Sequence, residues 1–294
     1  MRITDLYFSW WLRPGTPRTL TVGGLNRTYV VHVPEGHDQE HPMPVVLALH
    51  GATMNGPMMA WFSGLNRKAD EAGFIAVYPN GTGRFSSFTW NGGNCCGSAV
   101  QNKVDDVAFI NALLDDLMGS YPVDRQRIYA TGMSNGAVMT YRLASELSDR
   151  IAAIAPVSGS MGTEISRLKR PVSVLHFHGT LDEYIPFLGG RGKKSISGTQ
   201  FWPVDHSIRE WVKSNGCDQN PKIDSLSRSG DEMTVTRTTY AAANDGTEVV
   251  LVVIEGGGHT WPGMKSPTGT LGKSALNISA NDLKWEFFQN HPMK

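Results

Sequence analysis

The chain has 294 residues, 40% hydrophobic and 18% charged, with 32 glycines and 16 prolines; this is enough to bury one large core, and it is neither a disordered nor a collagenous composition. Lysine plus arginine number 27 and aspartate plus glutamate also 27, so no net field draws in nucleic acid or an anionic membrane, and a neutral small molecule or polymer is the easier partner. Three cysteines, Cys95, Cys96 and Cys217, are too few for a disulfide-built scaffold and leave the redox compartment undecided.

In chain order, residues 6–12 form a short apolar stretch between Asp5 and Arg13, unlike a secretory leader; the protein stays inside the cell or a leader has been removed. Residues 1–19 read as an extension ahead of a single domain over 20–294. Runs at 20–22 and 27–33 flank Gly23-Gly24-Leu25-Asn26 and predict an antiparallel hairpin. The pattern then alternates: strand 45–50, helix 58–72, strand 74–78, helix 104–118, strand 127–131, helix 136–147, and strands 151–157 and 172–177. Unbroken apolar runs are strands buried on both faces, so this section predicts an α/β fold, a mostly parallel central sheet with helices on both faces. A short helix at 208–213, a strand at 234–240, a turn at Asn244-Asp245-Gly246, a strand at 248–254 and a helix starting near Ser279 complete the chain. No apolar run approaches the roughly 20 residues that span a bilayer, which excludes a membrane span.

The strand at 127–131 runs into Gly132-Met133-Ser134-Asn135-Gly136, with a helix directly after. This is G-x-S-x-G in its strand–turn–helix setting. Flanking glycines let the turn close tightly and lift the Ser134 hydroxyl to the positive end of the helix, so Ser134 is the candidate nucleophile; a structural turn serine is the alternative. The hydroxyl needs a base, and the base needs an acid, in the chain order serine, acid, histidine. Of nine histidines only His206, His259 and His291 lie far enough along, and His259 is the first choice because it follows the strongest C-terminal strand in a glycine-rich loop. Asp182, just beyond a strand end, is the acid, with Glu183 as competitor. Asp105, Asp106, Asp115 and Asp116 instead cap or solvate their helix. His176 and His178 stand two apart on one strand face, which suggests a metal pair; with no third ligand evident, a hydrogen-bonded structural role is preferred. The oxyanion donors are the N–H of Asn135 and of Ala52, with Thr53 in reserve. The chemistry requires no metal and no cofactor, and the base must be neutral to act, so activity declines on acidification.

Leu49-His50-Gly51-Ala52-Thr53, Trp90-Asn91-Gly92-Gly93-Asn94-Cys95-Cys96-Gly97, Val104-Asp105-Asp106-Val107-Ala108-Phe109-Ile110, Gly132-Met133-Ser134-Asn135-Gly136, His178-Gly179-Thr180-Leu181-Asp182 and Gly256-Gly257-Gly258-His259-Thr260-Trp261-Pro262-Gly263 together resemble the polyhydroxybutyrate depolymerase and feruloyl esterase family of α/β-hydrolases. The resemblance spans residues 20–290. It implies a serine carboxylesterase, with Ser134, Asp182 and His259 on the family's triad positions. The substrate it implies is a small-molecule or polymeric ester, with relatives divided between hydroxycinnamate esters of plant polysaccharide and aliphatic hydroxyalkanoate polyesters; aromatic residues recurring in the loops expected near the site put a feruloyl (hydroxycinnamoyl) ester first, with polyhydroxyalkanoate or short-chain esters as the alternative. From another class, a catalytically silent binding protein of the same fold is the competing reading; the oligomeric state is not read.

In relatives a cysteine at the position of Cys217 looks paired with one about 25 residues later, and here that stretch offers none. The segment 183–204 is also long, and 187–204 is read as a mobile cover that closes Trp202 over the acyl pocket. Cys95 and Cys96 are two buried thiols or a vicinal disulfide, with the thiols favoured. Trp90, Trp202 and Trp261 stack on an aromatic acyl group or sugar, or else pack in the core.

Overall fold

The computed structural model describes residues 15–36, 40–85, 87–242 and 245–294. Strands β1 (Thr16–Val22), β2 (Leu25–His32), β3 (Met43–Leu49) and β4 (Ile75–Pro79) open the fold. A separate small hairpin, β5 (Thr82–Arg84) and β6 (Ser87–Thr89), precedes β7 (Val123–Met133), β8 (Ala153–Val157), β9 (Ser173–Gly179), β10 (Lys222–Ser225), β11 (Val235–Ala241) and β12 (Glu248–Ile254). Apart from the small hairpin, the described strands form one sheet in the order β1-β2-β4-β3-β7-β8-β9-β12-β11-β10. From β4 through β12 the pairs are parallel, whereas β1, β2, β10 and β11 pair antiparallel at the margins.

The helices are α1 (Gly56–Ser63), α2 (Leu65–Ala72), α3 (Gly97–Gln101), α4 (Asp106–Ser120), α5 (Asn135–Glu146), α6 (Val204–Ser214) and α7 (Ala280–Asn290). Every residue of β3, β4, β8 and β9 is buried, because helices cover both faces. The strand period of two divides them: Val45, Leu47 and Leu49 join α4, α5 and α6 in one core, while Val46 and Ala48 join α1, α2 and α7 in the other.

Several elements differ from expectation. The single helix over 58–72 is two helices, broken at Gly64, whose φ of 61° is left-handed; the Asn55 side chain caps α1 by accepting from Met58 N–H. Thr16 to Thr19 already belong to β1, opposite Val31 to Thr28, so the extension is shorter than 1–19; residues 1–14 lie outside the described residues, as does Asn244 of the expected turn. Asp105 caps α4 as expected, but Asp106 is buried, not solvated, and pairs with buried Arg27 at 2.6 Å. Cys95 and Cys96 are joined as a vicinal disulfide and buried with Val138, Ile185 and Phe201, in place of two free thiols. Cys217 is a buried free thiol opposite Ala242 across an antiparallel bridge, and burial pushes its pKa up to about 11. On the other face of the sheet, fully buried Lys284 lays its side-chain nitrogen 3.2 Å from the centre of the Trp261 ring and has no hydrogen-bond partner among the described residues. Among the described residues no helix is long and apolar enough to cross a membrane.

Candidate active site

Strand register brings the chemistry to one edge. Leu49 lies opposite Gly132, Met133 opposite Val157, Val157 opposite Phe177, and Gly179 opposite Ile254. The loops carrying Ala52, Ser134, Asp182 and His259 therefore all leave the sheet at its carboxyl edge.

Ser134 sits between β7 and α5 at φ 57° and ψ −122°, a conformation that a non-glycine residue holds only when its surroundings impose it. Those surroundings are steric. A Cβ on Gly132 would stand 2.4 Å from Gly136 O, and one on Gly136 would stand 2.2 Å from Leu49 O, so only glycine fits on either side of the turn. Ser134 N–H donates to Val157 O at 3.0 Å, and Ser134 O accepts from Ala137 and Val138, which ties the turn to β8 and starts the helix.

The acid loop follows β9. Asp182 Oδ1 accepts the N–H groups of Tyr184 (2.8 Å) and Ile185 (2.9 Å), and its Oδ2 accepts His259 Nδ1–H at 2.7 Å. Since a carboxylate can only accept, Nδ1 carries the proton and Nε2 of His259 keeps its lone pair. Both residues are 5% exposed. Burial alone would raise the Asp182 carboxyl; His259, His178 and the Ile185 N–H outweigh it and hold the pKa below the usual aspartate value. A Cβ on Gly179 would stand 2.3 Å from Gly257 O, so the acid and base loops touch backbone to backbone. The Tyr184 ring stacks on His259 with centroids 4.8 Å apart.

The other candidates are occupied elsewhere. Glu183 is paired with Lys194 at 2.6 Å; His206 lies edge-on to Trp202; His291 closes the end of α7 through Phe287 O. His176 and His178 hydrogen-bond to one another at 3.0 Å. Among the described residues no group of three or more His, Cys, Asp or Glu is placed to hold a metal ion.

Neither the Asn135 N–H nor the Ala52 N–H has an acceptor among the described residues. Thr53 differs: its N–H is donated to Phe88 O at 2.8 Å, which withdraws it as reserve oxyanion donor. Gly51 lies close by, since a Cβ there would sit 3.5 Å from Ser134 Cβ. Burial pushes the pKa of His50 down to about 4, so its ring is neutral; Nδ1–H donates to Gly51 O at 2.7 Å and Nε2 accepts Gly81 N–H at 3.0 Å, which fixes this loop.

Two of the three tryptophans cannot stack on substrate. Trp90 is fully buried, donates its indole N–H to His50 O, and exchanges backbone hydrogen bonds with the Asn135 side-chain amide at 2.7 and 3.0 Å. Trp261 is 1% exposed and donates to Asn281. Trp202 is half-buried and packs against the core. In its segment, Gly190 and Phe201 pair through two backbone hydrogen bonds, Phe187 O accepts Val204 N–H, and Lys194 N–H donates to Glu183 O, so the base of the loop is fastened to the acid loop. The Asn135–Trp90 clasp, His50 and Tyr184 were not expected from sequence; only the glycine after His50 marks that residue as part of a tight loop.

A mostly parallel sheet with a G-x-S-x-G turn and a hydrogen-bonded acid and histidine at its carboxyl edge defines an α/β-hydrolase. The chain belongs to the family described as Esterase PHB depolymerase, whose model matches residues 27–177, and it is a carboxylic ester hydrolase. It is 30% identical to feruloyl esterase B of Piromyces equi over 79% of this chain, though it spans only 42% of that protein. With feruloyl esterase C of Emericella nidulans it shares 29% identity over 93% of this chain and 89% of the relative. The acetyl xylan esterase from Aspergillus awamori has the same fold, with a TM-score of 0.63 at 18% identity, covering 94% of this chain and 100% of that one.

Proposed function

We propose that ester cleavage runs through an acyl-enzyme on Ser134, with His259 as base and then acid and Asp182 as its orienting partner. Ser134 Oγ attacks the acyl carbon while His259 Nε2 takes its proton, and the Asn135 and Ala52 N–H groups receive the oxyanion. His259 then gives that proton to the departing alcohol, and water repeats the sequence on the acyl-enzyme. The observation that carries the reading is the 2.7 Å bond from His259 Nδ1 to Asp182, which leaves Nε2 free as the base at the same carboxyl edge of the sheet that carries Ser134 in its strained turn. Replacing Ser134 with Ala should lower kcat on p-nitrophenyl acetate by roughly a million-fold and abolish labelling by a fluorophosphonate; near-parental turnover would remove Ser134 from the reaction.

For the acyl group we propose a feruloyl-type ester. The two feruloyl esterase relatives support it, as do the apolar groups near the acid: Tyr184 against His259, and Leu181 and Leu188, which are 65% and 83% exposed. Rates on methyl ferulate, a feruloylated oligosaccharide, a hydroxybutyrate oligomer and p-nitrophenyl acetate, measured side by side, decide the matter. A higher kcat/KM on the hydroxybutyrate oligomer than on methyl ferulate would transfer the assignment to aliphatic polyesters.

A further inference from the structure

Beneath the acid loop, three fully or nearly fully buried polar side chains lie end to end. Tyr141 Oη is 2.8 Å from His176 Nδ1, His176 Nε2 is 3.0 Å from His178 Nδ1, and His178 Nε2 is 2.9 Å from Ile185 O. Burial pushes both imidazoles below their ordinary pKa and the Tyr141 phenol above its own, so all three groups are neutral.

Neutrality fixes the direction of every bond. A carbonyl oxygen only accepts, so the proton of His178 is on Nε2, facing Ile185 O. Its Nδ1 must then accept from His176 Nε2–H, and His176 Nδ1 must accept from the Tyr141 hydroxyl. Reversing the chain would turn the Nε2 lone pair of His178 against Ile185 O and against Asp182 Oδ2, which lies 3.5 Å away. Both nitrogens of each histidine are thereby occupied, and neither ring is a free metal ligand.

The proton at the end of this chain points into the loop that carries the acid. Tyr184 N–H and Ile185 N–H hold Asp182 Oδ1 from above, and Ile185 O is held from below by His178. We propose that His178 is a positioning residue: its Nε2–H, oriented through His176 by Tyr141, holds Ile185 O and borders Asp182 Oδ2, so the carboxylate meets His259 in a single orientation. This rests on the reading of Ser134, Asp182 and His259 as the reacting set.

Two measurements test it. Long-range proton–nitrogen NMR spectra of the unmodified protein should find His176 and His178 both protonated on Nε2 at neutral pH; an Nδ1-protonated His178 overturns the proposal. His178→Gln keeps an amide N–H near the Nε2 position, whereas the shorter His178→Asn does not reach it. His178→Asn should lower kcat on p-nitrophenyl acetate by about 100-fold, with KM within about twofold, and displace the low-field proton resonance of His259 Nδ1–H. In His178→Gln, kcat should stay within about fivefold and the resonance should remain in place. Equal losses in both variants that track melting temperature, or an unchanged kcat in His178→Asn, defeat it. If His178→Asn does not fold, the tautomer spectra decide alone. Fluorophosphonate titration of the parent separates the two levels: no labelling strikes the Ser134 reading, while the tautomers are read independently of it.

Discussion

The two sides of the candidate site are held by different forces. Around Ser134, glycines permit backbone contacts that no other residue allows, the Asn135 amide clasps Trp90, and Asp106 fixes both Arg27 and the Asn91 N–H at 2.6 and 2.7 Å. Around Asp182 and His259 no buried lysine or arginine ion pair among the described residues braces the scaffold; orientation comes from hydrogen bonds whose donors and acceptors are set by tautomer. A side held by close packing and one buried ion pair resists distortion, so damage there appears as lost stability. On a side held by directed hydrogen bonds, damage appears first as lost rate.

Among variants that separate the two sides, the largest expected effect is on the acid side. Asp182→Asn turns an amide N–H toward His259 and imposes the wrong tautomer, so kcat should fall about 10⁴-fold while fluorescence-monitored unfolding shows a folded protein. A collapsed fold with normal turnover in the surviving fraction would break the comparison. Next is Arg27→Ala, which leaves Asp106 buried without its partner; the expected loss is about 3 to 5 kcal/mol in denaturant unfolding, with kcat per fluorophosphonate-titrated site nearly unchanged. A rate loss without a stability loss would merge the two sides into one.

The smallest effect belongs to His50. In the folded protein its ring stays neutral down to about pH 4, because burial disfavours the cation, whereas the unfolded chain takes up a proton below about pH 6.5. Its contribution is complete above pH 6.5 and falls away as the pH drops toward 4, by about 3 kcal/mol. His176 and His178 act in the same direction, so the difference between the parent and His50→Gln isolates the share of His50. Calorimetry from pH 7 to pH 4 should find a shallower decline in His50→Gln; parallel curves would count against a neutral His50.

Legibility in the sequence follows range. The alternating strands and helices, and the strand-end motifs around Ser134, Asp182 and His259, are local patterns a few residues long, and the elements appear where those patterns place them. The break at Gly64 was hidden because the apolar spacing continues across it into α2. Trp90 and Trp261 stayed open between site and core because a tryptophan in a glycine-rich loop looks the same locally whether it faces solvent or core. Arg27 and Asp106 stand 79 residues apart, and Tyr141 and His176 stand 35 apart, so only the fold can introduce them. Thr53 failed as a donor for a related reason: Phe88, which takes its N–H, comes from β6, a strand too short to announce itself.

Lys284 carries a consequence for heat and protons. With no hydrogen-bond partner among the described residues, its amine is pushed far below the ordinary lysine pKa by burial, and the ring faces of Trp261 and Phe177 return only about 2 kcal/mol against a larger desolvation cost. Between that lowered folded pKa and the ordinary lysine value, folding therefore releases a proton to the buffer, and unfolding takes one back. The calorimetric enthalpy of unfolding should accordingly vary with the ionisation enthalpy of the buffer, differing between phosphate and Tris at the same pH, and Lys284→Met should diminish that dependence.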